Sequence, residues 1–185
     1  MTRIPTPVSI EASPVASRPF LESVKKLLGS VPNLFRMVGN STAALEGYLG
    51  LNGALAKGKL DIKTRERIAL AVAEINGCDY CLAAHTYLGK NLAKLDDAEI
   101  AANRDGGSKD AKAGAAVLFA VKVATAKGHV ADSDLQAVKT AGYSNAEIIE
   151  IVAHVAVNTL TNYINNVAQT TIDFPAAPAL AAAAK

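Results

Sequence analysis

The chain carries near its middle the stretch Glu74-Ile75-Asn76-Gly77-Cys78-Asp79-Tyr80-Cys81-Leu82-Ala83-Ala84-His85. Glu74, Cys78, Cys81 and His85 are spaced so that a helix would place their side chains on one side. Cys78 and Cys81 are the only cysteines among 185 residues. A dithiol, an imidazole and a carboxylate this close together can support redox chemistry, nucleophilic chemistry or metal binding.

Helical signals extend outward from this stretch in both directions. Asn76-Gly77 is a strong stop signal, so we expect one helix to end there and Cys78 to open the next. Cap residues, glycines and apolar positions with a period near 3.6 divide the rest of the chain. The predicted helices run from Ser17 to a stop at Gly29 and over residues 32–38, 42–57, 62–76 and 78–92. A short helix follows Asp96, and a longer one covers 109–127 with Ser108 as its cap. The last two run from Asp132 or Ser133 to Gly142 and over 145–170. Strand signals are weak, which predicts an all-α fold with a compact multi-helix domain.

The domain organisation follows from the same patterns. The length suits a single domain, which we place at residues 17–175. Residues 1–16 hold three prolines and read as an extended N-terminal arm, and residues 176–185 form a low-complexity Ala/Pro tail. Segments 68–85 and 148–165 can be laid over each other, which suggests a duplicated helical unit.

Composition limits the class of function. The net charge is +2 with no long basic run, which argues against nucleic-acid binding. No segment is long and apolar enough to cross a bilayer, and the N-terminus has no apolar signal core. We therefore expect a cytoplasmic protein with no membrane partner. In a reducing compartment, a C-x-x-C pair is more often catalytic or metal-binding than a structural crosslink.

The cysteine pair suits thiol peroxidase chemistry. At the start of a helix, free N–H groups and the positive end of the dipole stabilise a thiolate. Two cysteines three residues apart on a helical turn can form a disulfide. His85 can accept the thiol proton, and Glu66 or Glu74 from the preceding helix can orient the imidazole. No cofactor is needed for this chemistry, and we expect none.

Three alternatives use the same residues. Cys78, Cys81, His85 and Glu74 could supply four zinc ligands in a helical scaffold protein. The dithiol could exchange disulfides with a protein partner without reacting with peroxide. The four residues could also simply share a buried stripe, since cysteine is often buried as a small hydrophobe.

The quoted stretch resembles the E-x-x-x-C-x-x-C-x-x-x-H core of the carboxymuconolactone decarboxylase superfamily. The likeness is closer to its alkylhydroperoxidase D-like, peroxidase-related branch, and it extends over roughly residues 30–175. It implies an all-helical fold, homo-oligomers (commonly trimers or hexamers), and cysteine peroxidase activity on hydrogen peroxide or organic hydroperoxides. A thiol reductant protein of unknown identity would recycle the enzyme.

The resemblance also implies roles for individual residues. Cys81 corresponds to the cysteine that attacks peroxide and Cys78 to the resolving cysteine. His85 and Glu66 match the proton-relay positions, and Glu74 matches the leading glutamate of the motif. Tyr80 stands where relatives can carry a histidine, which predicts an altered relay, because tyrosine is a poor base near neutral pH. Members that decarboxylate ring lactones typically lack the C-x-x-C pair, so we expect that chemistry less.

The final predicted helix carries further polar residues. We interpret His154 as a hydrogen-bonded core histidine rather than as part of a polar pair with Glu150 facing the site. A stripe of asparagines on the same helix either lines a pocket floor or forms hydrogen bonds across a subunit boundary: Asn158, Asn162, Asn165 and Asn166.

Overall fold

The computed structural model describes residues 2–180 and is all-helical over that range, which confirms the predicted fold class. A short 3₁₀ helix, Val15–Ser17, precedes the α-helices. The α-helices are α1 Arg18–Leu28, α2 Asn33–Val38, α3 Thr42–Leu55, α4 Ile62–Ile75, α5 Asp79–Asn91, α6 Asp97–Arg104, α7 Ala111–Thr125, α8 Asp132–Thr140 and α9 Asn145–Ala168. Among residues 2–180, no helix is long and apolar enough to span a bilayer.

Side-chain caps fix most of the helix starts where the sequence placed them. Each predicted cap accepts a hydrogen bond from the backbone N–H three residues further on, which satisfies one free donor of the first turn. This holds at Ser41, Asp61, Asp96 and Ser144.

The predicted start of α7 is wrong. The cap is Asp110, whose carboxylate accepts from the Ala113 N–H at 2.8 Å, and not Ser108. The Ser108 hydroxyl is already used, because it donates to Glu99 Oε1. The sequence pattern could not show that a carboxylate from α6 competes for this hydroxyl.

Helix α4 forms the centre of the molecule. Every residue from Ile68 to Ala73 is buried, so this part of the helix is apolar on all sides, as expected for a helix surrounded by others. Its neighbours are α5, α6, α7 and α9. Because α4 is covered all round, polar side chains near its N-terminal end can face an interior space only where neighbouring helices separate.

The corner between α4 and α5 holds the cysteine pair in place. Gly77 has φ +58°, a left-handed conformation that side chains rarely adopt, and the Cys78 N–H then bonds to Ala73 O at 3.0 Å. Two asparagines of α9 hold the same corner. Asn76 Nδ2 donates to Asn162 Oδ1 at 2.9 Å, and Asn166 Nδ2 donates to Asn76 O at 2.8 Å.

The suggested duplication is not visible as repeated structure. Segment 148–165 lies within the single helix α9, whereas segment 68–85 is divided between α4 and α5 at Gly77. The terminal divisions at residues 16 and 176 stay predictions. Ile10 of the predicted arm is buried in the core, and residues 181–185 of the predicted tail lie outside the described residues.

Candidate active site

Cys78 is the N-cap of α5, as the sequence predicted. It is joined to Cys81 in a disulfide, with the two Cα atoms 5.3 Å apart. Cys78 Sγ also accepts a hydrogen bond from the Cys81 N–H at 3.2 Å. The corner at Gly77 therefore places one sulfur over a free backbone donor and the other one turn further along the helix.

A cavity of about 750 Å³ opens beside Cys81. Helices α1 to α5, α9 and the segment after α9 contribute to its wall, which is largely apolar and aromatic. Cys81 lines this cavity, whereas Cys78 is fully buried and does not. A small molecule in the cavity would therefore meet the sulfur of Cys81 first.

His85 and Glu66 meet at the cavity wall one turn beyond Cys81. His85 Nδ1 lies 2.9 Å from Glu66 Oε2, and both residues line the cavity. With Nδ1–H directed at the carboxylate, Nε2 is the nitrogen left to exchange a proton. The structure thus brings together four of the predicted site residues: Cys78, Cys81, His85 and Glu66.

Asn165 is a site residue whose role the sequence did not show. Its side-chain Nδ2 donates to Cys81 Sγ at 3.3 Å, and both residues are buried. The signal was present in the asparagine stripe of α9, but a stripe alone cannot show which helix it faces.

Comparison with known proteins shows similarity to one family. Residues 42–126 match the model of the carboxymuconolactone decarboxylase family. A peroxidase-related protein from Ralstonia eutropha JMP134, described as an alkylhydroperoxidase AhpD core, is similar along nearly its whole length. Its sequence identity is 26%, the alignment covers 93% of this chain and 92% of that chain, and the TM-score is 0.82. The family match and the structural likeness support a place for the chain in the carboxymuconolactone decarboxylase superfamily, in its alkylhydroperoxidase D-like branch.

Other solved structures share the fold at lower identity. A peroxidase-related protein from Silicibacter sp. TM1040 is 22% identical with a TM-score of 0.77, covering 91% of this chain and 89% of that one. The debrominase Bmp8 is 21% identical with a TM-score of 0.77, covering 94% and 93%. A curated relative from Haemophilus influenzae is 52% identical over 42 residues, so the match spans only 37% of that protein. These likenesses show the fold, which peroxidase-related proteins share with a debrominase.

Tyr80 stands at the position where alkylhydroperoxidase D-like proteins can carry a histidine. Its hydroxyl donates to Asp173 Oδ1 at 2.8 Å and accepts from the Leu34 N–H at 3.1 Å. Burial raises the pKa of Tyr80 well above the ordinary value, and the nearby Asp173 carboxylate adds to this effect. The tyrosine therefore fastens the segment after α9 across the cavity and does not act as a base near neutral pH.

Glu74 lies apart from the other four site residues. It belongs to α4, not to the helix of the cysteines, and Glu74 Oε2 accepts from Arg104 Nε at 2.7 Å. It is not among the residues that line the cavity. The four ligands of the zinc alternative are therefore not assembled, and no cluster of metal-ligating side chains occurs in residues 2–180.

His154 is buried, but the interpretation of a hydrogen-bonded core residue is wrong. It lines the cavity, and Nε2 has no hydrogen-bond partner among residues 2–180. Burial first and the Arg65 charge second lower the pKa of His154 to about 4, while Glu150 and Glu66 oppose the shift. Glu150 is turned away, since its Oε2 accepts from the backbone N–H groups of Lys59 and Leu60.

Proposed function

We propose that the protein is a thiol-dependent peroxidase that reduces hydroperoxides through a cycle between the Cys78–Cys81 dithiol and its disulfide. The observation that carries the proposal is the position of Cys81. Its sulfur lies at the wall of an interior cavity, within bonding reach of a second, covered sulfur, with the His85–Glu66 pair one turn away. Reductive cleavage of an O–O bond needs these groups together.

In the proposed cycle, His85 takes the Cys81 thiol proton and the thiolate attacks the terminal oxygen of R–O–O–H. The O–O bond breaks, Cys81 becomes a sulfenic acid, and the departing alkoxide takes the proton from His85 to leave as R–OH. The Cys78 thiol then attacks the sulfenic sulfur, which gives the disulfide and water. Two further thiol groups reduce the disulfide and are themselves oxidised to a disulfide.

The two sulfurs are suited to different steps. The Cys81 N–H is directed at Cys78 Sγ, which favours negative charge on Cys78, whereas Asn165 Nδ2 supplies a donor to Cys81. Because both sulfurs accept a hydrogen bond, contact with the cavity decides which of them reacts with peroxide. Only Cys81 faces the cavity, so it meets peroxide, and the donor at Cys78 assists the resolving attack. Cys81 meets the cavity although the residue is only 3% exposed, which favours a small substrate for the oxidising step.

We also propose a homo-oligomer, as the family resemblance implies. The solvent-facing side of α9 carries a stripe of large exposed apolar side chains at helical spacing: Ile149, Val152, Leu160, Tyr163 and Val167. Spacings of three, four and seven residues are those of helices that pair along an apolar seam. A second copy of α9 is the occupant we propose. Regeneration of the dithiol requires a thiol reductant, which fits the expected cytoplasmic location.

The test is stoichiometric oxidation of the reduced protein, read by intact-mass and peptide mass spectrometry. One equivalent of cumene hydroperoxide should convert both cysteines to the disulfide and yield one equivalent of alcohol. Cys78→Ser should stop at a Cys81 sulfenic acid that a dimedone label captures, whereas Cys81→Ser should consume no peroxide above background. Asp79→Asn, on the exposed residue between the cysteines, serves as the matched control. Equal peroxide consumption by Cys81→Ser and the wild type would overturn the proposal.

A further inference from the structure

Two polar side chains at the end of the cavity away from the cysteines have no partner. Arg65 lines the cavity, its guanidinium forms no ion pair with a carboxylate among residues 2–180, and its Nε is buried without a hydrogen bond. His154, also at the wall, is 95% buried with Nε2 unpartnered. Buried polar groups in proteins are nearly always paired, and a partly buried cation without a partner is costly.

The neighbouring carboxylates are already engaged. Glu66 Oε2 is 2.9 Å from the His85 ring, and Glu150 Oε2 accepts two backbone N–H groups at 2.8 and 3.0 Å. Asp173 accepts from Tyr80 and from the Asn33 N–H beside the cysteine end. Arg65 therefore lacks a fixed counter-charge, and a ligand in the cavity could supply one.

Helix α9 sets the distance between this end and the cysteines. Asn165 bonds to Cys81, and His154 lies eleven residues earlier on the same helix. At 1.5 Å per residue, the two positions are about 16 Å apart along the helix axis. The wall of the same cavity also has apolar residues, among them Ala69, Leu88 and Val157. Hydrogen peroxide needs only a small part of this space, and a volume of about 750 Å³ is in the range of pockets for organic ligands.

We propose that the cavity binds an amphipathic organic hydroperoxide whose carboxylate is held by Arg65 and His154 while its hydroperoxide group lies at Cys81. The proposal rests on the peroxidase function above and names its substrate class: an acyl or alkyl chain with a carboxylate at one end and the O–O bond roughly a cavity length away. Arginine suits this task because its planar fork matches a carboxylate. His154 is neutral near pH 7, so a single negative charge is balanced by the single charge of Arg65.

The test measures binding without turnover, so that it is independent of the peroxidase proposal. Isothermal titration calorimetry of the oxidised full-length protein compares 10-hydroxydecanoate with its methyl ester, which has the same chain and lacks the charge. The acid should bind at least about tenfold more tightly than the ester, as one charge-assisted pair implies. Equal affinities, or no detectable binding of either probe at millimolar concentration, would overturn the proposal.

Variants of Arg65 test whether this residue causes the tighter binding of the acid. Arg65→Gln should bring the acid to the affinity of the ester, and Arg65→Lys should retain part of the preference, since a point charge replaces the fork. Lys63→Gln is the matched control, because it removes the same charge from an exposed position of α4 and should keep the full preference. A full preference in Arg65→Gln would also overturn the proposal. If that variant does not fold, the wild-type comparison of acid and ester still decides.

The kinetic counterpart separates the two proposals. If the peroxidase cycle operates, carboxylate hydroperoxides should show a lower KM than their methyl esters in the wild type, and Arg65→Gln should raise that KM with kcat little changed. Binding of the acid without any turnover would leave the carboxylate site standing and remove the peroxidase proposal.

Discussion

The two ends of the cavity differ in how their polar groups are satisfied. At the cysteine end, α9 asparagines bond to Asn76 and to Cys81, and the His85 ring is paired with Glu66. At the other end, Arg65 and His154 line the cavity, and Arg65 Nε and His154 Nε2 have no hydrogen-bond partner among residues 2–180. One end is held in its working geometry by the protein itself, and the other end is left for a ligand to complete.

This difference has a physical reason. Bond-making at a sulfur requires atoms held within a fraction of an ångström, so supporting hydrogen bonds are formed before substrate arrives. Binding energy, in contrast, comes from interactions that form only in the complex, and a protein group that already satisfies Arg65 would remove that gain. The unpaired end therefore destabilises the folded protein slightly in exchange for affinity.

The largest expected effect on the turnover rate comes from a substitution at the cysteine end of the cavity. His85→Gln removes the group that moves the proton while keeping the size of the side chain, and peroxide turnover by kcat/KM should fall about 10²- to 10³-fold. That loss corresponds to roughly 3 to 4 kcal/mol of transition-state stabilisation. Stopped-flow measurement of Cys81 oxidation reports the step directly. Turnover within about twofold of the wild type would show that His85 is not the proton carrier.

Two glutamates of α4 sharpen this test. Glu66→Gln keeps a partner for His85 but removes its charge, and the rate should fall about tenfold. Glu74→Gln loses the ion pair with Arg104, which lies outside the cavity. If Glu74 only stabilises the fold, this substitution should change the rate little. Thermal unfolding supplies the second readout, because a merely structural residue lowers Tm without changing the pH profile of the rate. Equal rate losses would place Glu74 in the proton path.

The next effect, about 3 kcal/mol, belongs to the unpaired end. His154 has its pKa lowered from 6.5 to about 4 by burial first, then by Arg65, with Glu66 and Glu150 opposing. The unfolded chain takes up a proton near pH 6.5 that the folded chain takes up only near 4. Stability is therefore fully present above about pH 6.5 and is lost as pH falls to 4, by on the order of 3 kcal/mol.

Urea unfolding of the wild type and His154→Gln at pH 7, 5.5 and 4 measures this contribution. The stability difference between the two proteins should change by about that amount over the range, since glutamine does not titrate. Parallel losses in both proteins would mean that His154 is solvated in the folded state. Adding a carboxylate ligand at pH 7 should stabilise the wild type more than Arg65→Gln, which connects this end to the proposed site.

Most of the fixed end could be predicted from the sequence, because its signals are local. The stop at Asn76-Gly77, the cap at Cys78 and the spacing to His85 all act within one or two turns of helix. The family resemblance supplied Glu66, which local spacing alone could not separate from Glu74. The structure then showed that only Glu66 reaches the imidazole.

The unpaired end could not be predicted, because nothing local shows it. His154 looked like a core histidine, and whether a buried histidine has a partner depends on which helices separate beside it. Arg65 stands in an ordinary charged stretch, and the direction of its side chain depends on the packing of α3, α4 and α9. Absence of a partner is a property of the whole fold, and sequence patterns record only the residues that are present.

The smallest effect returns to the cysteine end and tests whether its hydrogen bonds matter to chemistry. Asn165→Leu keeps the side-chain volume but removes the Nδ2 donor to Cys81 Sγ, so the thiolate loses one of the groups that stabilise its charge. The rate of Cys81 oxidation should fall about tenfold, or roughly 1.4 kcal/mol, while the binding preference for 10-hydroxydecanoate stays as in the wild type. Asn158→Leu is the matched control, because Asn158 lies about two turns of α9 before Asn165 and its Nδ2 donates to the His154 carbonyl oxygen. If Asn165→Leu alters acid binding as much as it alters oxidation, the two ends do not act independently, and the division between a fixed end and a ligand-completed end is wrong.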